Sequence, residues 1–181
     1  MRKYRKLVGL LSAIAILLIT WGCFDVITGT FVVSYRFGSA DVNTYHDDFA
    51  MFYVDLTKES EWQKRKDDIK NIDNIGFELW ITNNGLDPVT GQLFAALDSS
   101  YADTLTVRSD ARLVFSGLTL PGGDVQTYVD WPGSLGLLVD VDALKKFAEK
   151  GEFAIYALTT TLPFDITVDS ATVIITFTAG E

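Results

Sequence analysis

The sequence predicts a mainly β protein: an antiparallel β-sandwich with two short helices, preceded by an N-terminal signal or anchor helix. Three observations predict it. Eight or nine short runs alternate apolar with polar residues and are rich in Val, Ile, Thr, Phe and Tyr, which is how half-buried strands read. Turn-forming groups separate these runs, among them Asn83-Asn84-Gly85, Asp87-Pro88, Pro121-Gly122-Gly123 and Pro132-Gly133. Only two stretches have helical character, too few for the strand–helix alternation of a parallel sheet.

The chain opens on MRKYRKLVGLLSAIAILLITWGC. Arg2, Lys3, Arg5 and Lys6 form a positive head, and Leu7 to Thr20 is an uncharged, mostly apolar run. These are the n- and h-regions of a secretory signal, and the positive head stays on the cytoplasmic side. Extended to Phe24, the run is a marginal membrane span, because crossing takes roughly 20 apolar residues. Cys23 is the sole cysteine and directly follows Gly22 at the end of the run. This junction resembles the lipobox of bacterial lipoproteins, in which the cysteine after a small residue is lipidated and becomes the new N-terminus. Gly22 and Cys23 match that pattern, whereas Thr20 and Trp21 stand where it has a Leu-like and a small residue. The resemblance implies lipidation of Cys23 with palmitate; an uncleaved anchor and secretion with a free thiol are the alternatives. The expected organisation is a signal peptide over 1–22 and a single domain over 23–181.

Asp25 to Phe37 is the first strand, with Ile27, Phe31, Val33, Tyr35 and Phe37 on one face. Gly38 to Tyr45 reads as a polar loop and Phe49 to Leu56 as a strand. Thr57 to Asn71 reads as a helix, with Ser60 and Gln63 as a capping box and Trp62 and Ile69 on the buried stripe. Ile75 to Thr82 is the clearest strand: Phe77, Leu79 and Ile81 face one way, Glu78, Trp80 and Thr82 the other. Strands are expected at Gln92–Asp98, Thr104–Val107, Arg112–Phe115 and Val125–Trp131, with a hairpin turn at Ser109-Asp110. Asp140 to Lys150 is the second helix, capped by Asp140 or Asp142 and closed by Gly151. Glu152–Thr160 and Ile166–Thr178 are the last strands.

From Leu144 to Phe177 a helix ending at Gly, a strand, a Pro-containing turn and a final strand follow one another. This order resembles uncharacterised bacterial lipoproteins and, more faintly, the sandwich of late-embryogenesis-abundant type 2 proteins. The likeness implies an Ig-like or jelly-roll-like fold and assigns no functional residue.

Composition bounds the chemistry. The formal charge is −9, and becomes −13 once the four positive residues of the signal are removed. Such a surface repels nucleic acid and anionic lipid. A lone cysteine excludes an internal disulfide, so the domain depends on its apolar core. His46 is the only histidine and sits in a polar loop, read as solvated rather than as a metal ligand or catalytic base. Cys–His catalysis and a zinc site lack their parts, and no phosphate-binding glycine loop occurs. The expectation is no enzyme and no cofactor. A structural Ca²⁺ on Asp41, Asp47 and Asp48, or on Asp140 and Asp142, is the exception considered. Trp80, Tyr128 and Trp131 are the candidate ligand-binding residues, because planar aromatics stack on sugar rings.

The function expected is therefore a membrane-anchored, extracytoplasmic binding or structural module of the bacterial cell envelope. Its partners are the membrane and an envelope protein or polysaccharide. A carbohydrate-binding module is the alternative, and an envelope hydrolase with a carboxylate pair ranks third.

Overall fold

The computed structural model describes residues 28–44 and 49–180. Cys23, His46, Asp47 and Asp48 lie outside the described residues. Nine strands build two antiparallel sheets. The first holds β1 (Gly29–Phe37), β2 (Ala40–Asn43), β4 (Ile69–Asn83), β7 (Val125–Val129) and β9 (Asp165–Ala179). Its order is β1–β9–β4–β7, with β2 pairing the first residues of β9 and β1 the rest. The second holds β3 (Ala50–Asp55), β5 (Val89–Ala96), β6 (Arg112–Leu120) and β8 (Glu152–Thr159), in the order β3–β8–β5–β6. The sandwich expected from alternation is the architecture observed.

The two sheets bury a shared core between them. Ile72, Ile75, Phe77, Val173, Ile175 and Phe177 point inward from the first, and Val54, Phe115 and Phe153 from the second, each at most 1% exposed. Phe77 and Phe115 meet edge-to-face with ring centroids 5.8 Å apart, the geometry their quadrupoles favour. A smaller apolar cluster lies on the outer side of the second sheet, where Phe94, Tyr156 and Leu158 pack with Val107. Both faces of β8 are therefore covered, which explains its near-continuous apolar run FAIYAL.

Four α-helices occur among the described residues: α1 (Ser60–Arg65), α2 (Thr104–Asp110), α3 (Trp131–Leu135) and α4 (Val141–Glu149). Only α4 matches its expectation closely. Asp140 accepts from the Ala143 amide at its start, Leu144 and Ala148 are buried, and Gly151 follows with φ +80°, a conformation that suits glycine.

The other segments depart from the sequence reading. The expected helix over Thr57–Asn71 is cut to α1, and β4 begins at Ile69 because that residue pairs with Ala179 of β9. No capping box forms; Gln63 donates to the Thr57 carbonyl instead. Thr104–Val107 is helical rather than extended. Asp103 accepts from the Thr106 amide at 2.8 Å and winds the chain into α2, overriding the β-preference of Thr and Val. Trp131 belongs to α3, which Asp130 caps by accepting from the Gly133 amide. Gly38–Tyr45 contains β2 because Val42 fills the core opposite Ile166.

The molecule has two distinct ends. Gly29 and Ile69 both register with Ala179, so β1 begins and β9 finishes at one end, the terminal end. The turns after β4, β6 and β8 gather at the other, the loop end. There the Gly123 amide donates to the Gly85 carbonyl and the Asn84 amide to the Asp165 carbonyl.

Candidate functional site

The outer faces of the two sheets differ. Helix α2 and its preceding loop cover part of the second. The outer face of the first, on β4, β7, β9 and β2, carries two of the three aromatics singled out by sequence. Trp80 on β4 stands directly opposite Tyr128 on β7. Their rings stack with centroids 4.2 Å apart and 25° between planes, and they remain 41% and 46% exposed. Cross-strand aromatic pairs stabilise a sheet, yet this one leaves a large aromatic surface in water.

Polar groups surround the pair. The Tyr128 hydroxyl donates to Glu78 Oε1 at 3.0 Å. That bond, then burial and the Glu78 charge, raise the phenol above its ordinary pKa, so it stays protonated at neutral pH. Thr82 Oγ1 and Gln126 Nε2 both donate to Asp169 Oδ2, at 2.9 and 3.1 Å. Asn84 Nδ2 reaches Asp165 Oδ1 and Thr167 Oγ1, and Thr167 Oγ1 donates to Asp41 Oδ1 at 2.8 Å.

A break in register builds this corner. Opposite Trp80 and Ile81, the pairing of β9 jumps from Ser170 to Val168 and leaves Asp169 unpaired. Such a bulge re-aims side chains and occurs often beside functional sites. The buried residues of β9 run Ile166 and Val168, then Ala171, Val173, Ile175, Phe177 and Ala179. That step of three resets the alternation, so Asp169 and Ser170 share the outer side. The step is readable in the sequence, and it is the signal that finds Asp169. Glu78, Thr82 and Gln126 enter through cross-strand register, which alternation alone does not supply.

Trp131 does not join the pair. It opens α3, where its ring approaches Gly76 so closely that a Cβ there would lie 3.0 Å from Cδ1. Its indole N–H is buried without a hydrogen-bond partner among the described residues. Ser134 of the same helix accepts from the Phe77 amide at 2.9 Å, closing an edge of β4 that β7 is too short to pair. Of the acids considered for Ca²⁺, Asp41 accepts from Thr167, and Asp47 and Asp48 lie outside the described residues. Asp140 is held below the ordinary carboxylate range by the Ala143 amide and then by Arg112; it is the cap of α4. A cavity of about 50 Å³ lies between the sheets, walled mainly by residues such as Val42, Leu79, Phe115 and Val168.

No family model matches the chain, and no curated protein matches it. Solved structures do. One of Desmodium yellow mottle tymovirus is 11% identical over 84% of this chain and 90% of its own, with a TM-score of 0.28. One of infectious bursal disease virus, Gx strain, is 11% identical over 84% of this chain and 39% of its own, with a TM-score of 0.30.

Proposed function

We propose that this protein is a non-enzymatic binding module of the bacterial cell envelope, lipid-anchored through Cys23, that meets its ligand on the open face of the first sheet. The observation that carries the binding role is the Trp80–Tyr128 pair, left 41% and 46% exposed with Glu78 and the Thr82–Gln126–Asp169 cluster beside it. Large aromatic surface kept in water forgoes roughly 25 cal/mol per Å² of burial, which a ligand can recover. The anchor rests on the positive head, the apolar run and the Gly22-Cys23 junction. The carbohydrate-binding alternative is favoured by the same pair together with the carboxylate, amide and hydroxyl groups around it.

Two measurements test the proposal. Metabolic labelling with a palmitate analogue marks the wild type and spares Cys23→Ala; equal labelling removes the anchor. After detergent solubilisation of whole envelopes, the wild type stays with the insoluble material, whereas Trp80→Ala/Tyr128→Ala is released. Identical partitioning of the two, with both folded, removes the open face as the binding site.

A further inference from the structure

Taking the open face as the binding site, we infer that its ligand is a glycan whose sugars carry free amines. The aromatic pair supplies the first reason. A Trp or Tyr ring offers a flat apolar surface to the C–H face of a sugar, and its negative π-face attracts an ammonium group. Charge supplies the second. Glu78, Asp169, Asp165 and Asp41 accept hydrogen bonds from Tyr128, Thr82, Gln126, Asn84 and Thr167, all uncharged donors. None of the four acids takes part in a salt bridge among the described residues. The cation that register brings to the neighbouring strand is Arg36 on β1, facing Thr172 in the row of Glu78. With four acids against that one cation, the strip carries net negative charge, which draws in a cation and repels uronic acids and phosphates.

The interleaved polar groups match the hydroxyls that a sugar presents beside its amine. Gln126, Asn84, Thr82 and Thr167 alternate with the acids along the strip. Amides and hydroxyls both donate and accept, as sugar hydroxyls require, whereas an ammonium group needs acceptors alone. The groups run from Tyr128 on β7 across β4 and β9 to Asp41 on β2. Three inter-strand gaps span about 14 Å, which suits an oligosaccharide better than a single sugar.

Titration of the detergent-solubilised full chain tests the inference. The probes are glucosamine oligosaccharides, their fully N-acetylated counterparts, oligogalacturonate, and oligolysine of matching charge. Glucosamine oligomers bind; the acetylated form binds more weakly and oligogalacturonate not at all. Trp80→Ala and Tyr128→Ala each weaken binding about tenfold, the loss expected of one aromatic contact to a cation. Asp169→Asn weakens it as well, and Glu149→Gln, which removes one charge from α4, leaves it unchanged. Circular dichroism confirms that each variant is folded, and Tyr128→Phe, which keeps the ring, retains most of the binding. Oligolysine binding as tightly as the glucosamine oligomers overturns the glycan, and tighter binding of oligogalacturonate overturns the charge. If no glycan binds while envelope retention still depends on Trp80 and Tyr128, this inference fails and the binding-module reading stands.

Discussion

At the scale of single residues, the loop end depends on one buried amide. Asn83 is fully buried. Its Nδ2 donates to the carbonyls of Asp87 and Leu120, and its Oδ1 accepts from the Gly85 amide. These bonds tie the turn after β4 to the end of β6. Gly122 completes the clasp, since a Cβ there would lie 2.1 Å from the Leu86 carbonyl oxygen. Asn83→Ala leaves three backbone groups without their partner, and each buried orphan costs about 1–3 kcal/mol. Some regain water once the side chain is gone, so a loss on the order of 3 kcal/mol is expected from urea unfolding. A loss below about 0.5 kcal/mol, the range of an ordinary surface change, removes Asn83 from this role. Trp80 and Tyr128 sit three rows along the same β4–β7 ladder, so slippage of this clasp would shift the register that pairs them.

At the scale of elements, aspartates decide where helices start. Asp103, Asp130 and Asp140 each accept from an amide in the first turn of α2, α3 and α4. The Thr106 amide, then the Thr106 hydroxyl, holds the Asp103 carboxyl below its ordinary value; the Ala143 amide, then Arg112, lowers Asp140. Their folded pKa values lie below the unfolded value of about 3.9. The stability they contribute is therefore present above roughly pH 4 and is lost as pH falls through the folded values. Asp103→Asn keeps the cap and removes this proton linkage. Its melting temperature stays near that of the wild type at pH 7 and falls less steeply between about pH 4 and pH 2. Asp103→Ala lowers the melting temperature at every pH. Parallel acid limbs for wild type and Asp103→Asn would dismiss the linkage. The caps also explain which elements were legible in sequence. The strands around Phe77 and Val173 follow from alternation, and those around Val114 and Ile155 from short apolar runs. Thr104–Val107 reads as a strand because three of its four residues are β-branched, and the one-residue cap at Asp103 outweighs them. Ile69, Ile72 and Ile75 are spaced by three, like a helix stripe, yet two bulges in β4 produce that spacing. The same kind of step at Val168–Ala171 marks the bulge that presents Asp169. The Trp80–Tyr128 contact required register between strands 48 residues apart in number, which no local pattern carries.

At the scale of the whole molecule, the order of strands fixes which end a membrane tether would hold. Strand β1 starts at the terminal end, and Cys23 precedes Thr28 by five residues, a reach of at most about 18 Å. With fifteen residues in β9, the first sheet is about 50 Å long at ~3.3 Å per residue. A lipid on Cys23 would thus hold the terminal end near the bilayer, and put Trp80 roughly 35 Å further along β4. The acidic surface favours the same posture, because anionic lipid repels a domain that lies down. Nitroxide labels on Lys70→Cys at the terminal end and Leu86→Cys at the loop end test this in lipidated protein on vesicles with nickel-chelating headgroups. Lys70 is exposed beside the start of β4, and Leu86 is 91% exposed on the turn after it. The label at position 70 relaxes strongly through the surface nickel, and the label at position 86 is nearly unaffected. Equal relaxation at both positions means that the sandwich lies flat. In that case the anchor does not stand the domain on its terminal end, and Trp80 lies near the headgroups rather than roughly 35 Å along β4 from that end.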